Sequence, residues 1–165
     1  MAAPASDSTK VSVSVPTDPA TAFDIFTTET DLWWRKGPKF RVAGRRTGVL
    51  LFEPGMGGRL LEQFETYSGT HVHVTGTITV WDPPQRLQFE WRGANFAANE
   101  KTEVEVTFEA RGATTLVTVH HRGWAALRAD HPARHGLDGP AFTGVRGLWW
   151  GELMTSLREW VDQKT

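Results

Sequence analysis

The stretch GTITVWDPPQRLQFEW, residues 76–91, decides the architecture of this chain. Two β-rich runs, Val72–Trp81 and Arg86–Trp91, flank the break at Asp82, Pro83 and Pro84. A connection that short joins antiparallel neighbours, because a parallel crossover needs a far longer return. The same pattern repeats outward. Upstream, Val49–Glu53 and Gly58–Glu65 read as strands separated by Pro54-Gly55, and Ser68-Gly69 precedes the next. Downstream, Glu103–Glu109 and Thr114–His121 meet at the tight turn Arg111-Gly112-Ala113. Val104, Val106 and Phe108 share one face there, while Glu103, Glu105 and Thr107 share the other, so the sheet has one core side and one wet side.

The ends of the chain complete the pattern. Val11, Val13 and Val15 alternate with Ser12 and Ser14 until Pro16 stops a first strand. Residues 1–10 are small and polar, fit neither a secretory signal nor a transit peptide, and are expected as a disordered tail before one domain spanning 11–165. Asp18 is placed as an N-cap and Pro19 as the first residue of a short helix carrying Ala22, Phe23 and Phe26 and ending near Thr28; a second short turn carries Leu32, Trp33 and Trp34. From Pro140 to Asp162, Phe142, Trp149, Leu153, Leu157 and Trp160 fall in one helical arc, flanked by Val145, Trp150 and Val161. A stripe that wide and aromatic belongs along the concave face of a curved sheet. Trp149 and Trp150 point about 100° apart, so both cannot occupy the centre of that stripe. The expected fold is α+β: a curved antiparallel sheet of about six to seven strands wrapped around a long C-terminal helix, with two short helices after the first strand. The irregular polar stretch from Arg122 to Gly139 is the candidate gate.

Composition removes several function classes. The 165 residues are 39% hydrophobic and 22% charged, enough for one buried core. Eighteen basic and 19 acidic residues leave a net charge of -1, without the field that gathers nucleic acid or anionic membrane, so neither is an expected partner. The absence of cysteine excludes disulfides, thiol nucleophiles and cysteine-based metal sites. No apolar window approaches the roughly 20 residues of a spanning helix, and a cytoplasmic protein, monomeric or weakly dimeric, is expected. Eight tryptophans are the unusual feature, since each needs a core or a ligand to cover it.

Six pieces in order carry a resemblance: VSVSVPTDPATAFDIF at 11–26, DLWW at 31–34, FEPGMGGRLLE at 52–62, residues 76–91, TEVEVTFEARGATTLVTVHHRGW at 102–124 and GLWWGELMTSLREWV at 147–161. Together they resemble the START-like, Bet v 1-type helix-grip (SRPBCC) superfamily, in the branch of the heat-shock-chaperone ATPase activators. Within that branch the chain is similar to bacterial calicheamicin self-resistance proteins. The shared features are Ala22-Phe23, Trp33 and Trp34 leading to Phe40, Glu90–Arg92 and Glu105–Gly112. The resemblance implies a cavity for a hydrophobic aromatic or polyketide-like molecule between sheet and C-terminal helix, and antibiotic resistance by sequestering an enediyne. It further implies a sacrificial backbone site at Gly112.

The residues expected to line that cavity are Trp33, Trp34, Phe40, Phe52, Trp91, Trp124, Trp149, Trp150 and Met154. A filled core is the competing account of the same residues. His71 and His73 share a strand face, but Val72 and Val74 are assigned to the core, so the histidines are expected in solvent with no metal. His120 and His121 must face opposite sides, one of them inward. His131 and His135 have zinc-like spacing only on a helix, which Pro132 opposes. Glu53–Arg59 is glycine-rich yet joins two strands, so it reads as a hairpin turn. Six of the twelve residues from Arg35 to Arg46 are basic, either a solvated loop face or a lure for an acidic partner. No catalytic residue and no cofactor is assigned. A cyclase or dehydratase would require a buried acid or base such as Glu62, Glu90, His120 or His121. A co-chaperone-like interaction module would use an exposed surface instead.

Overall fold

The computed structural model describes residues 8–92, 100–123 and 139–164, with the side chains of the last segment from Val145 onward. Strand β1 (Ser8–Val15) leads into α1 (Pro19–Thr28) and α2 (Thr30–Trp33). Six strands follow, β2 (Gly48–Phe52), β3 (Arg59–Thr66), β4 (Gly69–Asp82), β5 (Arg86–Trp91), β6 (Thr102–Arg111) and β7 (Thr114–Arg122), and then helix α3 (Gly139–Lys164). Asp18 caps α1 by accepting the Thr21 amide hydrogen bond at 3.1 Å, with Pro19 in the first turn, as its sequence predicts. The first strand begins earlier than expected. Thr9 is buried and pairs with His121, so residues 8–10 belong to the sheet and not to a tail. Hydrophobic alternation misses this because Thr9 is polar, yet its methyl group lies beside Gly147 of the C-terminal helix.

The seven strands form one antiparallel sheet in the order β1-β7-β6-β5-β4-β3-β2, a helix-grip arrangement in which the first strand returns beside the last. Two bulges lie in β4. Leu60 pairs with Gly76 and Leu61 with Val74, leaving Thr75 extra; Ile78 pairs with Phe89 and Val80 with Gln88, leaving Thr79 extra. Each extra residue bends the strand and steepens its twist, which curls the sheet. At the first bulge a Cβ on residue 76 would stand 1.6 Å from the Glu90 carbonyl oxygen, so only glycine lets β4 and β5 approach this closely.

The Thr75 bulge also reverses an expectation. Counting inward-facing positions back from Ile78 in steps of two makes Val74 and Val72 core residues. The inserted residue shifts the phase by one, so His71 and His73 lie on the concave side with their partners Phe64 and Glu62, while Val72 and Val74 are exposed. The histidines therefore take the face that the sequence assigns to the valines; His73 is partly buried there, while His71, farther along the strand, stays exposed as expected.

The concave face is built from Val13, Val15, Val104, Val106, Phe108, Val117 and Val119 at one side and Leu50, Phe52, Leu60, Ile78, Leu87 and Phe89 at the other. Helix α3 lies against it through Trp150, Leu153, Leu157 and Val161, all fully buried. Trp149 is buried too, which one flat contact face would forbid. It is covered from a second side by the segment after α2, whose Lys39 carbonyl accepts the Trp149 indole hydrogen bond at 2.8 Å. The helix is held between sheet and loop.

Candidate functional site

Five of the aromatic residues singled out by sequence meet beneath α3. Trp34 and Trp91 stack with their rings 17° from parallel and centroids 6.1 Å apart. Trp150 stands edge-on to both, at 5.8 Å from Trp34 and 5.9 Å from Trp91. Trp149 closes the group at 5.7 Å from Trp91 and 5.1 Å from Trp150, and Phe40 packs on Trp149 at 5.6 Å. Edge-to-face arrangements of this kind are the favoured ones for aromatic quadrupoles. The indole N–H groups of Trp34, Trp149 and Trp150 are committed to the Phe40 carbonyl, the Lys39 carbonyl and His121 respectively. What Trp91 and Phe40, both only partly buried, still offer is ring surface.

His121 is the inward member of its pair and sits at the polar end of this wall, fully buried. Its Nδ1 accepts from the Trp150 indole at 3.0 Å, so its proton is on Nε2, which faces Thr102 Oγ1 at 2.7 Å. Thr102 in turn donates to the Trp91 carbonyl. Burial, with the positive charge of Arg146 and neighbouring His120 adding to it, pushes the His121 pKa well below its usual value and keeps the ring neutral. Arg146, one turn before Trp149 and Trp150 on α3, lies over the Trp149 ring at 5.0 Å, and burial pushes its pKa down to about 10. A neutral imidazole and a desolvated guanidinium thus border the aromatic wall.

The remaining predicted site residues divide. Trp33 packs on Phe26 at 4.8 Å, Phe52 on Phe89 at 5.2 Å, and Met154 is fully buried: all three are core. Trp124, the two histidines at 131 and 135, and most of the candidate gate lie outside the described residues. Gly112 is exposed at φ +62° in the β6–β7 turn, where a Cβ would touch nothing. Thr102, beside the aromatic wall, starts the ten-residue strand β6 whose far end leads into that turn, so wall and glycine are separated by roughly 30 Å at about 3.3 Å per residue. A ligand on the wall is not brought to Gly112.

The candidate acid–base groups all hold structure. Glu62, 4% exposed, accepts the Val42 and Ala43 amide hydrogen bonds at 2.8 and 3.0 Å. Glu90 pairs with Lys101, and His120 lies within 3.3 Å of Arg122, which also binds Glu103 and Glu105. His73 hydrogen-bonds the Arg92 backbone, and desolvation outweighs the attraction of Glu62 to lower its pKa. Its Nε2 is buried and has no hydrogen-bond partner among the described residues. The basic run is partly consumed: Arg41 is buried and binds Asp31 and the Trp34 carbonyl, while Arg35 and Lys39 reach Glu152 on α3. Among the described residues no group of three His, Asp or Glu could hold a metal ion, and no helix is long and apolar enough to cross a membrane.

Sequence reasoning missed a second feature. A cavity of about 880 Å³ opens between α1, α2, β2 and the β4–β5 turn, with Phe23, Leu50, Phe52 and Trp81 among its walls. Its signal in the sequence, the Pro83-Pro84 pair beside Trp81, reads there only as a strand break.

Solved structures share this fold across nearly the whole chain. A protein from Mesorhizobium loti is 15% identical with a TM-score of 0.65, covering 96% of this chain and 98% of that one. An HSP90 activator from Plasmodium falciparum is 16% identical with a TM-score of 0.59, covering 92% and 93%. CalU16 from Micromonospora echinospora is 13% identical with a TM-score of 0.56, covering 93% and 73%. Identities this low speak to the fold alone. No curated protein matches the sequence. The model of the family described as "Activator of Hsp90 ATPase homolog 1-like protein" matches residues 16–139, more than half of the chain, and the protein belongs to that family.

Proposed function

We propose that this protein binds a hydrophobic aromatic or polyketide-like small molecule against the wall formed by Trp34, Trp91, Trp149, Trp150 and Phe40, and acts by sequestering it. The observation that carries this reading is the state of the wall's polar groups. With three indole N–H groups bonded internally, the wall presents ring faces at Trp91 and Phe40, which favour a flat apolar ligand. Arg146 borders it as a polar group able to orient such a ligand, while His121, bonded at both ring nitrogens, fixes Trp150 from behind. A ligand held there is withdrawn from its target in proportion to protein concentration and affinity, without turnover. The sharper form, which rests on the resemblance carried by the sequence motifs, is self-resistance to an enediyne antibiotic. The separation between the wall and Gly112 favours sequestration over self-sacrifice.

The test is a titration of isotopically labelled protein with an enediyne, its aromatised product and unrelated polycyclic polyketides. Saturable shifts of the Trp34, Trp91, Trp149 and Trp150 indoles are expected, without backbone cleavage at Gly112. If none of these indoles moves with any compound, the wall is core and the reading fails.

A further inference from the structure

The cavity between α1, α2 and β2 shares no lining residue with the aromatic wall. Ala20, Phe23, Asp24, Thr27 and Thr28 recur at helical spacing and turn one face of α1 toward it. Phe23, Leu50 and Phe52 form a buried floor, Trp81 forms one side with its ring 5.1 Å from Phe23, and the exposed Leu32 and Val49 stand at the rim. At about 880 Å³ the space is that of a small-molecule site, and no described residue of α3 contributes to it.

Charge decides what such a space accepts. Its lining contains three carboxylates, Asp24, Glu29 and Asp31, and no lysine, arginine or histidine. Two of them are balanced from behind the wall. Glu29 accepts from the Trp160 indole and Lys164, and although burial pushes its pKa up, those contacts outweigh burial and keep it ionised. Asp31 is bound by Arg41 and the Leu50 amide. Asp24 has no side-chain partner among the described residues, so one uncompensated negative charge faces an apolar space that also presents an indole ring. Carboxylate and ring both attract a cation, and the ring gains most where the cation is partly desolvated.

We infer that this cavity binds amphiphilic organic cations, molecules with an aromatic or aliphatic body and an ammonium group, the body on Phe23 and Trp81 and the ammonium at Asp24. An anion of the same shape meets only like charge. The edge of the sheet is closed to a peptide strand at this point, because Asp31 already occupies the outward-facing Leu50 amide.

The test uses the full chain with indole resonances assigned and three probes of matched shape: 2-(2-naphthyl)ethylammonium, 3-(2-naphthyl)propionate and neutral 2-ethylnaphthalene. The expected result is a saturable shift of the Trp81 indole with the ammonium, at an affinity about tenfold above that for the carboxylate, and weakening as salt is raised. Asp24→Asn, an exposed substitution, is expected to reduce the preference for the ammonium over the carboxylate to threefold or less. Ala20→Trp, which projects a ring across the mouth, is expected to abolish binding while the Trp33 and Trp150 resonances stay in place. No Trp81 shift, equal binding of the two charged probes, or an unaltered preference in Asp24→Asn overturns the inference. So does ammonium binding that moves Trp34, Trp91, Trp149 and Trp150 instead. Because the two sites report through different indoles, either can fail alone.

Discussion

His121 is a titratable group kept from titrating. Desolvation is the largest cause, and Arg146 and His120 add repulsion, so its folded pKa falls well below 6.5. His73 is lowered in the same direction, mainly by desolvation, with Glu62 and the hydrogen bond to the Arg92 backbone opposing and the charges of His71 and Arg92 adding to it. The unfolded chain takes up protons as pH drops through about 6.5, while in the native chain uptake at both histidines is displaced to lower pH. Stability from these groups is therefore fully present above pH 6.5 and declines below it, by up to about 1.4 kcal/mol per pH unit for each histidine. The carboxylates lowered from 4.5, Glu29 and Glu53, act only in more acid solution. Urea midpoints measured between pH 7.5 and 5.0 are expected to fall on the acid side, and His121→Gln to flatten that slope whatever its effect on absolute stability. An unchanged midpoint across the range would contradict a neutral buried His121.

At the scale of elements, the segment between α2 and β2 depends on Glu62. Its carboxylate accepts the Val42 and Ala43 amides, and from there the chain reaches back through Arg41 to Asp31 and through Lys39 to cover Trp149. Removing the carboxylate leaves two amides without their acceptor, a loss of about 1–3 kcal/mol. Glu62→Ala is expected to lower the unfolding free energy by that amount and to speed hydrogen exchange at Val42 and Ala43 well before exchange in β6 and β7 changes. This also explains why a basic run in sequence is a poor guide to an anion site here. Arg41 is buried bonding the chain to itself, and Arg35 and Lys39 tie it to α3, distinctions that a count of charges does not contain.

For the whole molecule the decisive feature is curvature, and it rests on Gly76 and the bulges beside it. Gly76→Ala forces β4 from β5 at the Glu90 carbonyl, and is expected to cost about 3 kcal/mol and to shift resonances along both strands. A variant as stable as the parent, measured by denaturant unfolding, would show that the strands separate there without strain.

Element existence was legible in local sequence because each signal is local: Asp18-Pro19 starts α1 where expected, Arg86–Trp91 is β5 to the residue, and the 104, 106, 108 alternation is buried as written. The element order, the antiparallel pairing of strands joined by short turns, and the inward placement of one of His120 and His121 follow from such signals, since period and turn length need no knowledge of the rest of the chain. Tertiary structure alone decided the rest. An extra residue at Thr75 turned His73 inward and Val72 outward, because a strand's sidedness holds only until its pairing slips by one. Trp149 and Trp150 are both buried because a distant loop supplies a second wall, and the cavity at Trp81 exists because α1 and β2, far apart in sequence, fold to face each other across it. Which surfaces meet is a property of packing in three dimensions, and a one-dimensional pattern records only which residues are able to take part.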